Sequence, residues 1–259
     1  MNEIGSCNDI HELREMINPI INGYANWIQE TKNSIQHSQE FNDKENQILK
    51  KQLDESEIVV QRMNDGLTLL ESDQNAFDSF KFANKAIAWQ QVHGKWAADN
   101  TEKGEVTAKS PIDNPEPMYN GIKPTWRLFQ IAFILMNLES IANPKSNNRE
   151  VVDLLWFPTG GGKTEAYLGL VAFVIAYRRL RGIGDDGIHG YESYGTAVLM
   201  RYTLRLLTVQ QFQRAATLMC ACEELRLKNK SKWGDMPFQV GLWVGGSVTP
   251  HTRDAAQSK

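Results

Sequence analysis

The stretch Val151-Val152-Asp153-Leu154-Leu155-Trp156-Phe157 runs into Pro158-Thr159-Gly160-Gly161-Gly162-Lys163-Thr164 and then into an apolar run that ends at Arg181. Its first seven residues are short, β-branched at the start and stopped by Pro158, as a buried strand leading into a turn would be. The closing run is apolar almost all round and finishes on Arg178, Arg179, Arg181 and Gly182, which suits the C-terminal end of a buried helix and its dipole. Between the two, Gly160, Gly161 and Gly162 let the backbone turn tightly and bring N–H groups and a helix N-terminus up to an anion. Lys163 adds a mobile positive charge for the β- and γ-phosphates of a nucleotide, and the Thr164 hydroxyl suits a bridging magnesium ion. A Gly-x-Gly-Lys-Thr string arises by chance at roughly 2 in 100,000 positions of average composition. Here the strand and helix signals also flank it. The stretch reads as a phosphate-binding loop, with Thr159, Gly160, Gly161, Gly162, Lys163 and Thr164 around ATP and Mg2+.

Outward from the loop, the chain after residue 124 alternates helical patterns with short apolar runs: 126–138, 151–157, 164–181, 197–202, 208–227 and 238–244. That alternation predicts an α/β unit with a parallel sheet and helices on both faces. Pro111, Pro115, Pro117, Gly121 and Pro124 interrupt the chain before it, so the sequence divides into a helical region at 1–110, a Pro-rich linker at 111–123 and the α/β part at 124–259. Residues 10–96 are polar, poor in Gly and Pro, and rich in helix formers. Leu49, Leu53, Ser56, Val60, Met63, Leu67 and Leu70 share one helical stripe. An amphipathic helix packed on its own domain explains the stripe, since Ser56 and Gly66 weaken a coiled coil, and pairing with a partner subunit stays open.

Composition sets outer bounds. The 259 residues carry 28 Lys+Arg against 31 Asp+Glu, a net charge of -3, with 41% hydrophobic and 23% charged residues. This suits one or two globular domains and excludes a histone-like or polyanionic chain, although a local basic face remains compatible. Cys7, Cys220 and Cys222 cannot all pair and lack the companions of a zinc site, so the chain reads as reduced and cytoplasmic. Cys220 and Cys222, in the run after Ala215-Ala216-Thr217-Leu218-Met219, read as packed helix cysteines, with a redox-active pair as the alternative. No apolar run reaches the roughly 18–20 residues of a membrane span, and the start lacks the order of a secretory signal.

Trp156-Phe157-Pro158-Thr159-Gly160-Gly161-Gly162-Lys163-Thr164-Glu165-Ala166-Tyr167 resembles motif I of superfamily 2 helicases, in particular the large helicases of DISARM phage-defence systems. The general phosphate-loop pattern has Gly at the position of Phe157, and the form without it is found in helicases. Upstream, Trp126-Arg127-Leu128-Phe129-Gln130 resembles the segment that precedes motif I, which implies that Gln130 hydrogen-bonds adenine with both ends of its amide. Downstream, 200–214 resembles motif Ia, which implies contacts from Thr203 and Arg205 to a nucleic-acid backbone. Leu242-Trp243-Val244-Gly245-Gly246-Ser247 resembles the following strand and Gly-Gly turn, where Gly245 and Gly246 would touch the strand. The resemblance covers 124–250 and, more faintly, 80–86. It implies an incomplete RecA-like P-loop NTPase domain behind an all-helical region, acting on DNA as a single strand or duplex, with RNA also open.

Hydrolysis further needs a carboxylate at a strand end to hold magnesium and a Glu to activate water. Asp54-Glu55-Ser56-Glu57 imitates that motif, but it lies in a polar helical stretch upstream of the loop. The chain therefore reads as the N-terminal part of an ATP-dependent translocase that does not hydrolyse ATP alone. The alternatives are a non-catalytic nucleotide- or nucleic-acid-binding regulatory lobe, and an ATPase that never touches nucleic acid. Other defence-system subunits are expected to dock on the N-terminal helices.

Overall fold

In the computed structural model of the chain the described residues are 1–37, 41–102, 105–106, 112–113, 117–158, 160–182, 190, 193–202, 205–243 and 252–254, without the side chains of 102, 105–106, 112–113 and 205–208. The helix formers of the N-terminal region become α1 (Asn2–Ser6), α2 (Ile10–His37), α3 (Asp43–Ser72) and α4 (Gln74–Asn100). Local chemistry fixes their ends. Asn42 accepts from the Glu45 N–H while the Glu45 carboxylate accepts from the Asn42 N–H, a capping box that opens α3. Asp73 closes α3 and opens α4, its carboxylate accepting from the N–H groups of Asn75 and Ala76. Two antiparallel ribbons of two-residue strands follow, β1 (Thr101–Glu102) with β2 (Glu105–Val106) and β3 (Ile112–Asp113) with β4 (Pro117–Met118). Then come α5 (Leu128–Ala142), α6 (Lys163–Arg181), α7 (Arg205–Lys228) and α8 (Lys230–Trp233).

The α/β fold predicted for 124–259, a RecA-like domain with a parallel sheet, is not what forms: the chain is mostly helical, and the described residues contain no parallel sheet. Residues 151–157, 197–202 and 238–243 adopt no regular secondary structure and pair with no neighbouring strand among the described residues. A strand in a parallel sheet needs both faces covered. Here Val152 is 93% exposed and Trp156 88%, and Leu154, Leu199 and Trp243 also face solvent. The helices expected to flank a sheet cover a helix instead. Both α6 and α7 pack on α4, whose buried side chains include Phe77, Phe80, Ala83, Ile87 and Trp89.

One apolar core runs through both halves of the chain, from Leu13 and Ile17 of α2 through α4 to Leu135, Phe173 and Leu218. The stripe on α3 faces inward as expected of an amphipathic helix, with Leu53, Met63, Leu67 and Leu70 buried. Cys222 is buried on α7, whereas Cys220 faces solvent. Asp54 and Glu57 bind Lys32 of α2 across the hairpin at 2.8 and 2.7 Å, so those carboxylates clip two surface helices together. No described helix is long and apolar enough to cross a membrane.

The Tyr177 hydroxyl on α6 donates to the Asp73 carboxylate at 2.7 Å, tying α6 to the α3–α4 corner. Burial first, and then that hydrogen bond, push its phenol well above the ordinary value of 10.0. Since the raised pKa favours the neutral phenol in the folded state, this stabilisation is complete below pH 10.0 and is lost as pH climbs toward the folded value. Thermal melts should therefore fall between about pH 10 and 11 in the native chain. They should fall less steeply in Tyr177→Phe, which starts about 1 kcal/mol less stable.

Candidate phosphate-binding site

The glycine loop enters α6 with the geometry its composition calls for. Gly160 and Gly162 hold φ of 79° and 89°, in the left-handed region that side chains other than glycine rarely adopt. Gly162 is the N-cap of α6 and supplies no side-chain oxygen, so the first turn of a 19-residue helix lacks a side-chain cap. Uncapped N–H groups at the positive end of a helix dipole suit an anion. Lys163 and Thr164 lie half-buried in that first turn.

The start of α5 holds the loop from the other side. Arg127 Nη1 donates to the Gly161 carbonyl at 2.9 Å, and Gln130 Nε2 donates to the Gly162 carbonyl at 2.7 Å. The Gln130 Oε1 accepts from the Arg127 N–H at 2.8 Å, so one amide joins the helix start to the loop. Gln130 is only 4% exposed, and each end of its amide retains one further hydrogen-bonding position. Phe129 stacks on Phe157, with ring centroids 4.0 Å apart. Lys163 Nζ donates to the carbonyls of Phe157 and Pro158, the second at 3.1 Å. A phosphate that draws the ammonium away would free two exposed carbonyls that water can reach, so the rearrangement costs little.

The loop is also tied to α7. Glu165 pairs with Arg214 through Oε1, while its Oε2 is buried beside Gly162 without a hydrogen-bond partner among the described residues. No group of three or more His, Cys, Asp or Glu among the described residues could hold a metal ion. A magnesium ion here would rest on the Thr164 hydroxyl and on the phosphate oxygens themselves.

Of the residues singled out in the sequence, Gly160, Gly161, Gly162, Lys163, Thr164 and Gln130 come together at this point. Thr159, Thr203, Gly245 and Gly246 lie outside the described residues, and Arg205 opens α7 with its side chain also outside them. Three basic residues at the end of α7 and in α8 have internal work. Arg226 is buried, binds Glu223 and donates to the carbonyls of Gly234 and Asp235, Lys232 pairs with Asp78, and Lys228 lies over the Trp89 ring. Sequence reasoning missed the loop contact of Arg127, although the residue stands within the segment that drew attention to Gln130.

No known protein-family model matches the chain. It is similar to the DISARM protein DrmA of Bacillus paralicheniformis. The two are 37% identical over 257 residues, which is 97% of this chain and 21% of DrmA. The chain thus spans about a fifth of the length of that relative. The likeness to DrmA reaches well beyond the loop and its flanks: at 97% coverage it takes in α2, α3 and α4, where the sequence motifs carried almost no functional signal.

Proposed function

We propose that the loop 158–164 binds the phosphates of magnesium-ATP, and that this chain is the nucleotide-holding part of a nucleic-acid translocase acting in phage defence. The uncapped start of α6 behind Gly162, with Lys163 in its first turn, carries the nucleotide reading. The defence role and the translocase activity rest on the similarity to DrmA and on the resemblance of the loop to helicase motif I. In this reading Lys163 leaves the Phe157 and Pro158 carbonyls for the phosphates, and Thr164 faces the magnesium ion. Arg127 and Gln130 keep the Gly161 and Gly162 carbonyls turned toward α5, and Gln130 has one amide hydrogen and one lone pair left for an adenine edge. Thr203, Arg205, Gly245 and Gly246 are the proposed contacts to a DNA strand, and the N-terminal helices the proposed dock for other defence subunits.

Two titrations test this reading. The chain should bind magnesium-ATP measurably by calorimetry, and sodium phosphate in excess should compete. A fluorescent single-stranded oligonucleotide should bind with an affinity that falls as salt rises, the slope in log units being about 0.7 for each phosphate neutralised. Absence of nucleotide binding would remove the phosphate-loop assignment. Nucleotide binding with no salt-dependent strand binding would leave an ATP-binding unit and remove the nucleic-acid role.

A further inference from the structure

Arg62 stands midway along α3, a surface-type residue in a polar helix, yet it is only 6% exposed. Its Nη1 and Nη2 donate to Oδ1 and Oδ2 of Asp153 at 2.6 and 2.7 Å, a two-pronged pair across 91 residues of sequence. Asp153 belongs to the irregular segment that leads into the phosphate loop. Its neighbours Val152 and Leu154 face solvent, and the segment has no ladder bonds among the described residues. Three side-chain contacts hold it there: Asp153 on Arg62, Phe157 on Phe129, and Lys163 on the Phe157 carbonyl.

A buried ion pair is weak as a source of net stability, because desolvating both charges offsets their attraction. Here that cost is visible, since Arg62 Nε is buried with no hydrogen-bond partner among the described residues. What such a pair does well is fix position, because the planar fork of a guanidinium meets a carboxylate in one geometry. We infer that Arg62 is a positioning residue for the phosphate loop, holding Asp153 so that the 151–157 segment delivers Gly160, Gly161 and Gly162 to the start of α6 in a binding-ready shape. The inference rests on the reading of 158–164 as a phosphate-binding loop, and it makes the α2–α3 hairpin a lever on that loop. A load on the hairpin is felt at Asp153 through a rigid helix and one fixed pair.

Amide hydrogen exchange in the ligand-free chain tests the tether separately from nucleotide binding. In Arg62→Met, and in the double variant Arg62→Met with Asp153→Leu that leaves no lone buried charge, exchange of the Trp156 and Gly161 amides, which donate to the Leu154 and Pro158 carbonyls, should rise by about tenfold while α4 and α6 keep their native protection. Magnesium-ATP affinity should weaken by the same factor, because the binding-ready loop is then a smaller share of the population. Unchanged exchange at Trp156 and Gly161 in the folded double variant overturns the inference. So does global unfolding of the double variant, which would make the pair a support of the whole fold. If the unsubstituted chain binds no nucleotide, the phosphate-loop reading fails on that result, while the exchange data still decide whether Arg62 orders the segment.

Discussion

Lys163→Ala should weaken binding of magnesium-ATP to the chain by roughly 10–150-fold, the equivalent of about 1.5–3 kcal/mol for one hydrogen bond to a charged group. The ammonium is the only cation in the first turn of α6, that turn has no side-chain cap, and its one carboxylate, Glu165, is paired with Arg214. Its present partners, the carbonyls of Phe157 and Pro158, are surface groups that water can satisfy once the lysine is gone. Stability should therefore change by no more than about 0.5 kcal/mol, the range of surface substitutions. This separation makes the test sharp: calorimetry should show the loss of affinity and a thermal melt should show almost none. On the proposed translocase reading, ATP-dependent turnover of a protein that contains this chain should fall by about 10²–10³, the usual consequence of removing one donor from a developing anion. Native affinity in the variant would show that Lys163 remains on its carbonyls and that the loop binds no phosphate through it.

The helices were legible because their information is local. The stripe from Leu53 to Leu70 and the basic end of α6 each act within a turn or two of the residues that encode them. The glycine turn was legible for the same reason, since positive φ at Gly160 and Gly162 is a property of single residues. The sheet was misread because burial belongs to neighbours. Val151-Val152-Asp153-Leu154-Leu155 has the composition of a buried strand, but α4 already covers the apolar faces of α6 and α7, and the segment is left on the surface. Arg62 escaped notice for a related reason. On a helical wheel it lies off the apolar stripe, and its partner Asp153 is 91 residues away with nothing in either neighbourhood to announce the pair. Gly66 was legible only in part: the sequence marked it as a weakness in a coiled coil, whereas the structure places it at a close approach of two helices.

Gly66→Leu should be among the most damaging substitutions in the chain. A Cβ at Gly66 would lie well inside van der Waals contact with the Leu135 carbonyl oxygen and 3.0 Å from its carbonyl carbon. Both are backbone atoms of α5, so no rotamer change relieves the clash, and the two helices must separate. Leaving glycine recovers about 1 kcal/mol of helix propensity, but overpacking a close contact typically costs about 1–3 kcal/mol, and a branched side chain against backbone belongs at or above the top of that range. With about 2–4 °C lost per kcal/mol in a chain of this size, the melting temperature should drop by several degrees in Gly66→Leu and less in Gly66→Ala. The effect should also reach the loop. Gly66 lies one helical turn after Arg62, and the helix it touches begins with the Arg127 and Gln130 that hold Gly161 and Gly162. Forcing α3 away from α5 thus strains the tether at Asp153 and the clamp at the glycines together. Gly66→Ala, folded at low temperature, should therefore lose more nucleotide affinity than its modest stability loss alone would cause. An affinity equal to that of the native chain, measured well below the melting transition, would show that the loop keeps its shape without a fixed α3–α5 contact.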